Sequence, residues 1–309
     1  MATIDLTAPA PQQEGTLEAL PRRISLTLPE LQLLADRAGG GAPLPFELSQ
    51  PGPSDALSDR LGQSPAGGED EAYVAAVGSL HDPAESLARR GLLGDDGPDA
   101  GVVGALGLLA TPRVAVDIEV VVNGLHAKAW HRQSDEAVAT LATSDGIVFE
   151  LAWFEAPAWP TELARVAVVP EDVELAKSAV PTSVDLPFGL LEASGEAVRS
   201  HRTDLVPVVV SSHGGQSYDE AGEALDAGTV GTVVTALGNE THGRLRALVA
   251  DVSRSGAPVV GVVSWVLVND GWRSLTGHRV GDERRVAVRS VEPADLAPTL
   301  APVLAEVTR

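Results

Sequence analysis

The sequence predicts an α+β protein with a pseudo-twofold duplicated architecture: two largely antiparallel β-meanders forming a central sheet flanked by helical bundles. Three observations carry that expectation. The apolar period changes from helical to alternating at Val114, the hairpin dipeptides Asn123-Gly124 and Asp145-Gly146 stand between alternating runs, and the plan of helices, meander and short helix returns after residue 183. Hairpin turns in place of crossover helices argue against a parallel α/β sheet.

Residues 1–23 are polar and Pro-bearing, and are expected to form a flexible arm. The stretch SLTLPELQLLADRAGGG then predicts a helix, because Thr27 and Glu30 have the spacing of a capping box, Pro29 suits the first turn, and three glycines end the run. Gly, Pro and Ser crowd residues 39–68, with a short helix expected at 54–62 and loop elsewhere. Helices follow near 70–80, 83–91 and 98–109, the middle one stopping at Gly91 in LARRGLL. Alternation predicts strands near 114–122, 125–133, 136–143 and 147–154, and then a short helix over 158–165.

The second half opens on SVDLP at 183–187, an echo of SLTLP at 25–29. Helical segments fill much of 186–240, and strands are expected near 244–252, 258–268, 271–279 and 285–291. The run RLRALVADV also fits a helical period, and the strand is preferred because SRSG then supplies a turn into VVGVVSWVLV. A helix over 293–308 closes the chain. The expected organisation is therefore an arm (1–23), a first α+β half (24–180) and a second, pseudo-symmetric half (181–309).

Charge narrows the partners. With 22 Lys and Arg against 43 Asp and Glu, the formal net charge of −21 repels nucleic-acid phosphates and anionic headgroups. No cysteine is present, so disulfides, thiolate metal sites and a cysteine nucleophile are excluded together. The N-terminus has neither a basic segment followed by an apolar one nor, anywhere along the chain, a run of the roughly 18 apolar residues a membrane span needs. The expectation is a cytoplasmic protein without membrane insertion.

Each chemical motif has a plainer reading. Ser211, Ser212 and His213 in VVVSSHGGQSYDEAG place hydroxyls beside an imidazole, but their flanks lack the Gly-x-Ser-x-Gly turn that exposes a nucleophile. A loop and helix-cap role is the simpler account. Asn239-Glu240-Thr241 fits a glycosylation acceptor, which matters only in a secretory compartment. The glycines at 39–41 and in GVVGALG form neither a P-loop nor a dinucleotide fingerprint. Seven histidines show no metal-ligand spacing, since His126 and His131 are five apart and so face opposite sides of one strand. The acidic runs at 68–71 and 94–99 lack the spacing of a calcium loop. Neither a catalytic residue nor a metal site is predicted.

Taken in order, LTLPELQLLADRAGGGAPLPFEL, DPAESLARRGLLGDDGPDAGVVGALGLLATPRVAVDI and VSWVLVNDGWRSLTGHRVGDERRVAVRSVEPADLAPTLAPVL resemble the EspG family, the cytosolic chaperones of ESX (type VII) secretion systems in actinobacteria. The likeness runs from about residue 25 to 305, and it is poor over 195–240. It implies a quasi-twofold fold and a function without catalysis, cofactor or nucleotide: binding one end of a helical secretion substrate, a PE/PPE-like heterodimer, and keeping its apolar tip soluble until export. The turn Val268-Asn269-Asp270-Gly271-Trp272 departs from the family's pattern, so a WXG-type protein is a second kind of cargo.

On this reading the substrate-binding residues are Trp265, Leu267, Trp272, Arg273 and His278 in the second half. Trp272 is expected at the surface near its turn, whereas Trp265 could belong to core or surface, because a bulge at the turn would flip their relation. Competing readings are a small-molecule hydrolase using His213 with Ser211 or Ser212, and a non-catalytic dimerisation protein docking meander to meander. A homodimer of the free form is a further expectation.

Overall fold

A strand opens the described chain where the sequence suggests only a helix. In the computed structural model, which describes residues 21–38, 43–46, 82–213, 216–253 and 260–308, β1 (Arg22–Thr27) runs directly into α1 (Leu28–Arg37). The junction is the anticipated capping box: the Thr27 hydroxyl accepts from the Glu30 amide at 3.4 Å and the Glu30 carboxylate from the Thr27 amide at 2.9 Å. The arm before residue 21, the glycines at 39–41, the helices expected at 54–62 and 70–80, the acidic run at 68–71 and His81 lie outside the described residues.

Next come α2 (Pro83–Arg89), the strand pair β2 (Leu93–Gly94) and β3 (Gly97–Pro98), and α3 (Ala100–Ala110). The stop signal LARRGLL forms as expected. Gly91 has φ +69°, its amide donates to the Ala88 carbonyl at 3.0 Å, and the Leu92 amide donates to the Leu87 carbonyl at 2.9 Å, the pair of hydrogen bonds that closes a helix on a left-handed residue. Asp82 and Asp99 cap the starts of α2 and α3 through their carboxylates.

The first meander follows: β4 (Val114–Val122), β5 (Leu125–Ser134), β6 (Ala137–Thr143) and β7 (Val148–Glu155). Asn123 and Gly124 both have positive φ, 49° and 81°, as a two-residue hairpin turn requires. Asp145-Gly146 instead belongs to a four-residue loop, in which the Asp145 carboxylate accepts from the amides of Ile147 and Val148 at 2.9 and 3.0 Å. Desolvation acts to raise the Asp145 pKa, but these bonds and the Thr143 hydroxyl outweigh it and hold the carboxyl below its ordinary value.

After α4 (Trp159–Val166), the second half runs β8 (Ser183–Pro187), α5 (Phe188–Arg199), α6 (Val206–Ser212), β9 (Tyr218–Asp219) and α7 (Ala227–Glu240). The second meander is β10 (Gly243–Asp251), β11 (Val260–Val268), β12 (Gly271–Val280) and β13 (Glu283–Val291), and α8 (Leu296–Val307) closes the chain. The ambiguous run at 244–252 is strand. Leu245, Ala247 and Val249 are fully buried while Arg244 before them and Arg246 among them are exposed, a period of two.

The described residues divide into two compact units. One takes residues 21–115 and 129–156, the other residues 116–128 and 157–308. In the first unit the strands lie in the order β1-β7-β6-β5, with β1 antiparallel to β7 from Arg22↔Trp153 to Thr27↔Val148. Leu26, Leu31, Leu34, Leu87, Leu106 and Leu151 fill its core. Phe46, at the end of the Pro-Leu-Pro-Phe stretch, stacks on Phe149 with ring centroids 5.1 Å apart.

In the second unit the order is β4-β10-β11-β12-β13-β8-β9, so β8 adds to the last strand of its meander as β1 does to β7. Val184, Leu186, Val268, Val286 and Val288 meet Leu190, Val206, Val230 and Val234 of the α5–α7 layer on one sheet face. On the opposite face α8 lies against β11, close enough that a Cβ at Gly261 would run into Val303.

Candidate protein-binding surface

Four of the five anticipated contact residues lie inside the second unit. The β11–β12 turn is a two-residue hairpin with Val268 opposite Gly271, and no bulge interrupts it. Leu267 therefore pairs directly with Trp272, and both share a face with Trp265. That face turns inward under α8, so Trp265 and Leu267 are fully buried and Trp272 is 2 % exposed. The surface position expected for Trp272 is thus corrected, and the reason is uninterrupted strand alternation through a tight turn. The two indole rings lie 6.2 Å apart at 53°, and Trp272 Nε1 donates to the Ala167 carbonyl at 2.8 Å.

Arg273 is also interior, as a clamp rather than a rim residue. It is 1 % exposed and donates to the Asp270 carboxylate at 2.8 and 3.0 Å, to the carbonyls of Val180 and Pro181 at 3.2 and 3.3 Å, and to Ser290 Oγ at 3.4 Å. Together with the Ala176 amide donating to the Asn269 carbonyl, these bonds pin the segment leading into β8 onto the hairpin. A fork of five donors suits this work, since one cation can serve several carbonyls and a carboxylate together.

His278 alone of the five reaches the surface. It sits with Ser183, Asp185, Tyr218, Thr276 and Arg285 around a cavity of about 660 Å³ on the sheet. Its Nε2 is 3.3 Å from the Asp185 carboxylate, which also accepts from Arg285 Nε at 3.2 Å. Arg285 is 3 % exposed; it further donates to Glu283 at 2.8 Å and to the carbonyls of Asp185 and Gln216 at 3.2 and 2.5 Å, with its guanidinium 5.0 Å from the Tyr218 ring centre. Burial works against its charge, yet the bonds to Glu283 and Asp185 prevail and raise its pKa. The floor is thus a fixed polar network, with His278 as its half-open edge.

A second concavity of about 690 Å³ runs between α6 and α7, lined by Val206, Pro207, Gly228, Gly231, Thr232 and Thr235. The small side chains of α7 make it shallow-walled and mostly apolar. Leu205 and Val208, the chain neighbours of the lining residues Val206 and Pro207, are exposed apolar residues, at 38 % and 64 %.

The Ser-His cluster is a helix end. Ser211 Oγ donates to the Val208 carbonyl at 2.8 Å and Ser212 Oγ to Val209 at 2.6 Å, while His213 Nδ1 lies 2.9 Å from Ser212 Oγ and 3.0 Å from the Val209 carbonyl. Because the Ser212 proton already goes to a carbonyl, the imidazole is left to donate, the reverse of what activates a nucleophile. His126 is exposed and His131 is 2 % exposed, at opposite ends of a strand whose residues 129–133 are all buried. Burial, with Arg132 adding to it, lowers the His131 pKa to about 3, so it is neutral. Among the described residues no group of three His, Asp or Glu side chains is placed to hold a metal ion, and no helix is long and apolar enough to cross a membrane.

Sequence reasoning passed over Asp185, Tyr218 and Arg285. One signal was present: Arg285 takes its place in an alternating strand, ERRVAVRSV, where a buried cation needs partners. Those partners, Asp185 and Gln216, are far away along the chain.

No family model matches this chain, and no curated protein matches it in sequence. Among solved structures it is similar to the type VII secretion system chaperone EspG5 of Mycobacterium tuberculosis, determined in complex with the PE25-PPE41 dimer. The similarity covers 93% of this chain and 96% of that one, with a TM-score of 0.59 and 13% sequence identity. At that identity it establishes a shared fold, α+β with a large antiparallel sheet.

Proposed function

We propose that this chain is a chaperone of a type VII secretion system, which binds the tip of a helical PE/PPE-like substrate in the cytosol and keeps it soluble for export. The observation that carries this reading is the fold shared, over nearly the whole length of both chains, with a chaperone solved on a PE-PPE dimer. The sequence resemblance to the EspG family, found independently of the fold, points the same way.

The chemistry asked of such a protein is modest. An exported helical pair exposes apolar side chains at one end, and a preformed concave surface covers them while polar edges set the orientation. The second unit offers both parts: the apolar channel between α6 and α7, and the cavity edged by His278 over the Asp185–Arg285 network. Both are built on regular elements, so little ordering entropy opposes binding. Trp265, Leu267, Trp272 and Arg273 serve this reading from inside, by holding the hairpin and the segment before β8 in place.

Co-expression tests the proposal directly. The chain is produced with each pair of small helical proteins encoded beside its own gene, and a soluble complex is sought by size-exclusion chromatography. A complex with a PE/PPE-like pair is the expected outcome. Failure to solubilise any such pair defeats the reading, and a complex formed only with a single WXG-type protein would redirect it.

A further inference from the structure

The far end of the β12–β13 hairpin carries two cations that stand against each other. Arg279 and Arg284 are direct partners in the antiparallel register, so their Cβ atoms are about 4.5–5.5 Å apart on one sheet face. Both are exposed, and among the described residues neither is in an ion pair. Of the two carboxylates at this end of the hairpin, Glu283 is committed to Arg285, and Asp282 in the turn is in no ion pair with either arginine among the described residues. The Arg284 guanidinium lies 4.6 Å over the Phe188 ring at the start of α5, which holds it flat against the surface.

The pairing is unexpected on two scales. Like charges directly opposite each other destabilise a sheet, and a local conflict of this kind is tolerated mainly where a site uses it. On the scale of the chain, residues 243–291 contain eight arginines and four carboxylates, although the whole sequence has a net charge of −21. The second meander is a basic island in an acidic protein.

We propose that Arg279, Arg284 and Phe188 form a docking point for an acidic helical segment of a partner protein. Two carboxylates at i and i+4 on a helix have Cβ atoms about 5–6 Å apart, a spacing that matches the arginine pair and lets each guanidinium take one carboxylate. A nucleic acid fits less well, because the −21 charge repels a long polyanion, whereas a segment with two carboxylates meets mainly the local field. This site goes beyond the cargo-binding proposal and stands without it.

Fluorescence anisotropy on the full chain provides the test, using two labelled synthetic helical peptides with the same apolar face. One carries Glu pairs at i and i+4, and the other carries Gln at those positions. The Glu peptide is expected to bind about tenfold more tightly, with the preference lost in R279A/R284A and weakened by salt. The charge-swapped variant R279E/R284E should instead prefer a peptide carrying Lys pairs, a gain that misfolding cannot produce. The proposal is overturned if both original peptides bind alike or not at all, or if R279A/R284A keeps the preference. It is equally overturned if a single-stranded DNA oligonucleotide binds more tightly than the Glu peptide through the same two arginines.

Discussion

The two strand-to-helix junctions, SLTLPE at 25–30 and SVDLPF at 183–188, start from nearly the same local pattern and end differently. At the first, Thr27 caps α1, Glu30 bonds back to it, and Arg90 reaches in to Glu30 at 3.3 Å and to the Ser25 carbonyl at 2.5 Å. Its polar groups are spent on the junction itself. At the second, Pro187 is the capping residue and makes no side-chain cap bond, while Asp185 turns away from the helix toward Arg285 and His278. A threonine at the cap closes the local structure. An aspartate two residues before the capping proline leaves charge to organise a cavity.

Arg285 should therefore matter more than any residue at the first junction. Replacing it by Ala leaves the Asp185 and Glu283 carboxylates without the guanidinium they share and removes a donor from the Gln216 carbonyl. A fully buried pair broken this way costs about 3–5 kcal/mol; with side chains of Asp185 and Glu283 at 29% and 37% exposure, about 2–3 kcal/mol is expected. Urea denaturation measures it. Arg285→Lys should recover only part, since a point charge cannot bridge four acceptors. If Arg285→Ala melts like the parent, the cavity floor is not a structural network and the contrast between the junctions fails.

An effect of similar size, seen only in acid, comes from the first unit. His131 belongs to the first unit and is neutral in the fold, with its pKa lowered from 6.5 to about 3. A histidine with a depressed folded pKa favours unfolding once the unfolded chain begins to take up the proton. Its contribution is thus neutral above pH 6.5 and increasingly destabilising from there down toward pH 3. About 3 kcal/mol should be lost by pH 4 from this residue. Denaturation curves at pH 7 and pH 4 give the slope, and His131→Gln should flatten it; an unchanged slope would place the acid sensitivity elsewhere.

At the first junction, Thr27→Ala removes the cap acceptor and should cost about 1 kcal/mol, the usual value for a lost capping hydroxyl. The matching change at the second junction, Pro187→Ala, removes no side-chain cap bond and is not expected to mirror that loss. Equal losses at the two sites would erase the distinction drawn between them.

What could be foreseen from sequence follows the range of each interaction. The capping box, the Gly91 stop, the Asn123-Gly124 turn and all eight meander strands depend on neighbours in the chain, and these were legible. β1 and β8 were missed because each is short and becomes a strand only by adding to β7 or β13, many residues later. Trp272 was misplaced for a related reason: alternation shows which residues share a face, but only the cover given by α8 decides which face is inside. The Asp185–Arg285–Gln216 network joins three separate stretches of chain, so the cavity could not be seen in any one of them.

The smallest effect on stability should come from His278, and it is the one that separates structure from function. Its side chain is 35% exposed and its Asp185 partner is already held by Arg285, so the contact is open to solvent and worth little to the fold. His278→Ala should change stability by about 0.5 kcal/mol or less. If the cavity seats a cargo tip that buries His278, the same variant should weaken the co-expressed complex about tenfold, as losing a hydrogen-bonding side chain desolvated within an interface does. Parallel denaturation and titration with the purified cargo measure both. A variant that loses stability and binding together would show His278 to be part of the floor, and the second junction would then be as closed as the first.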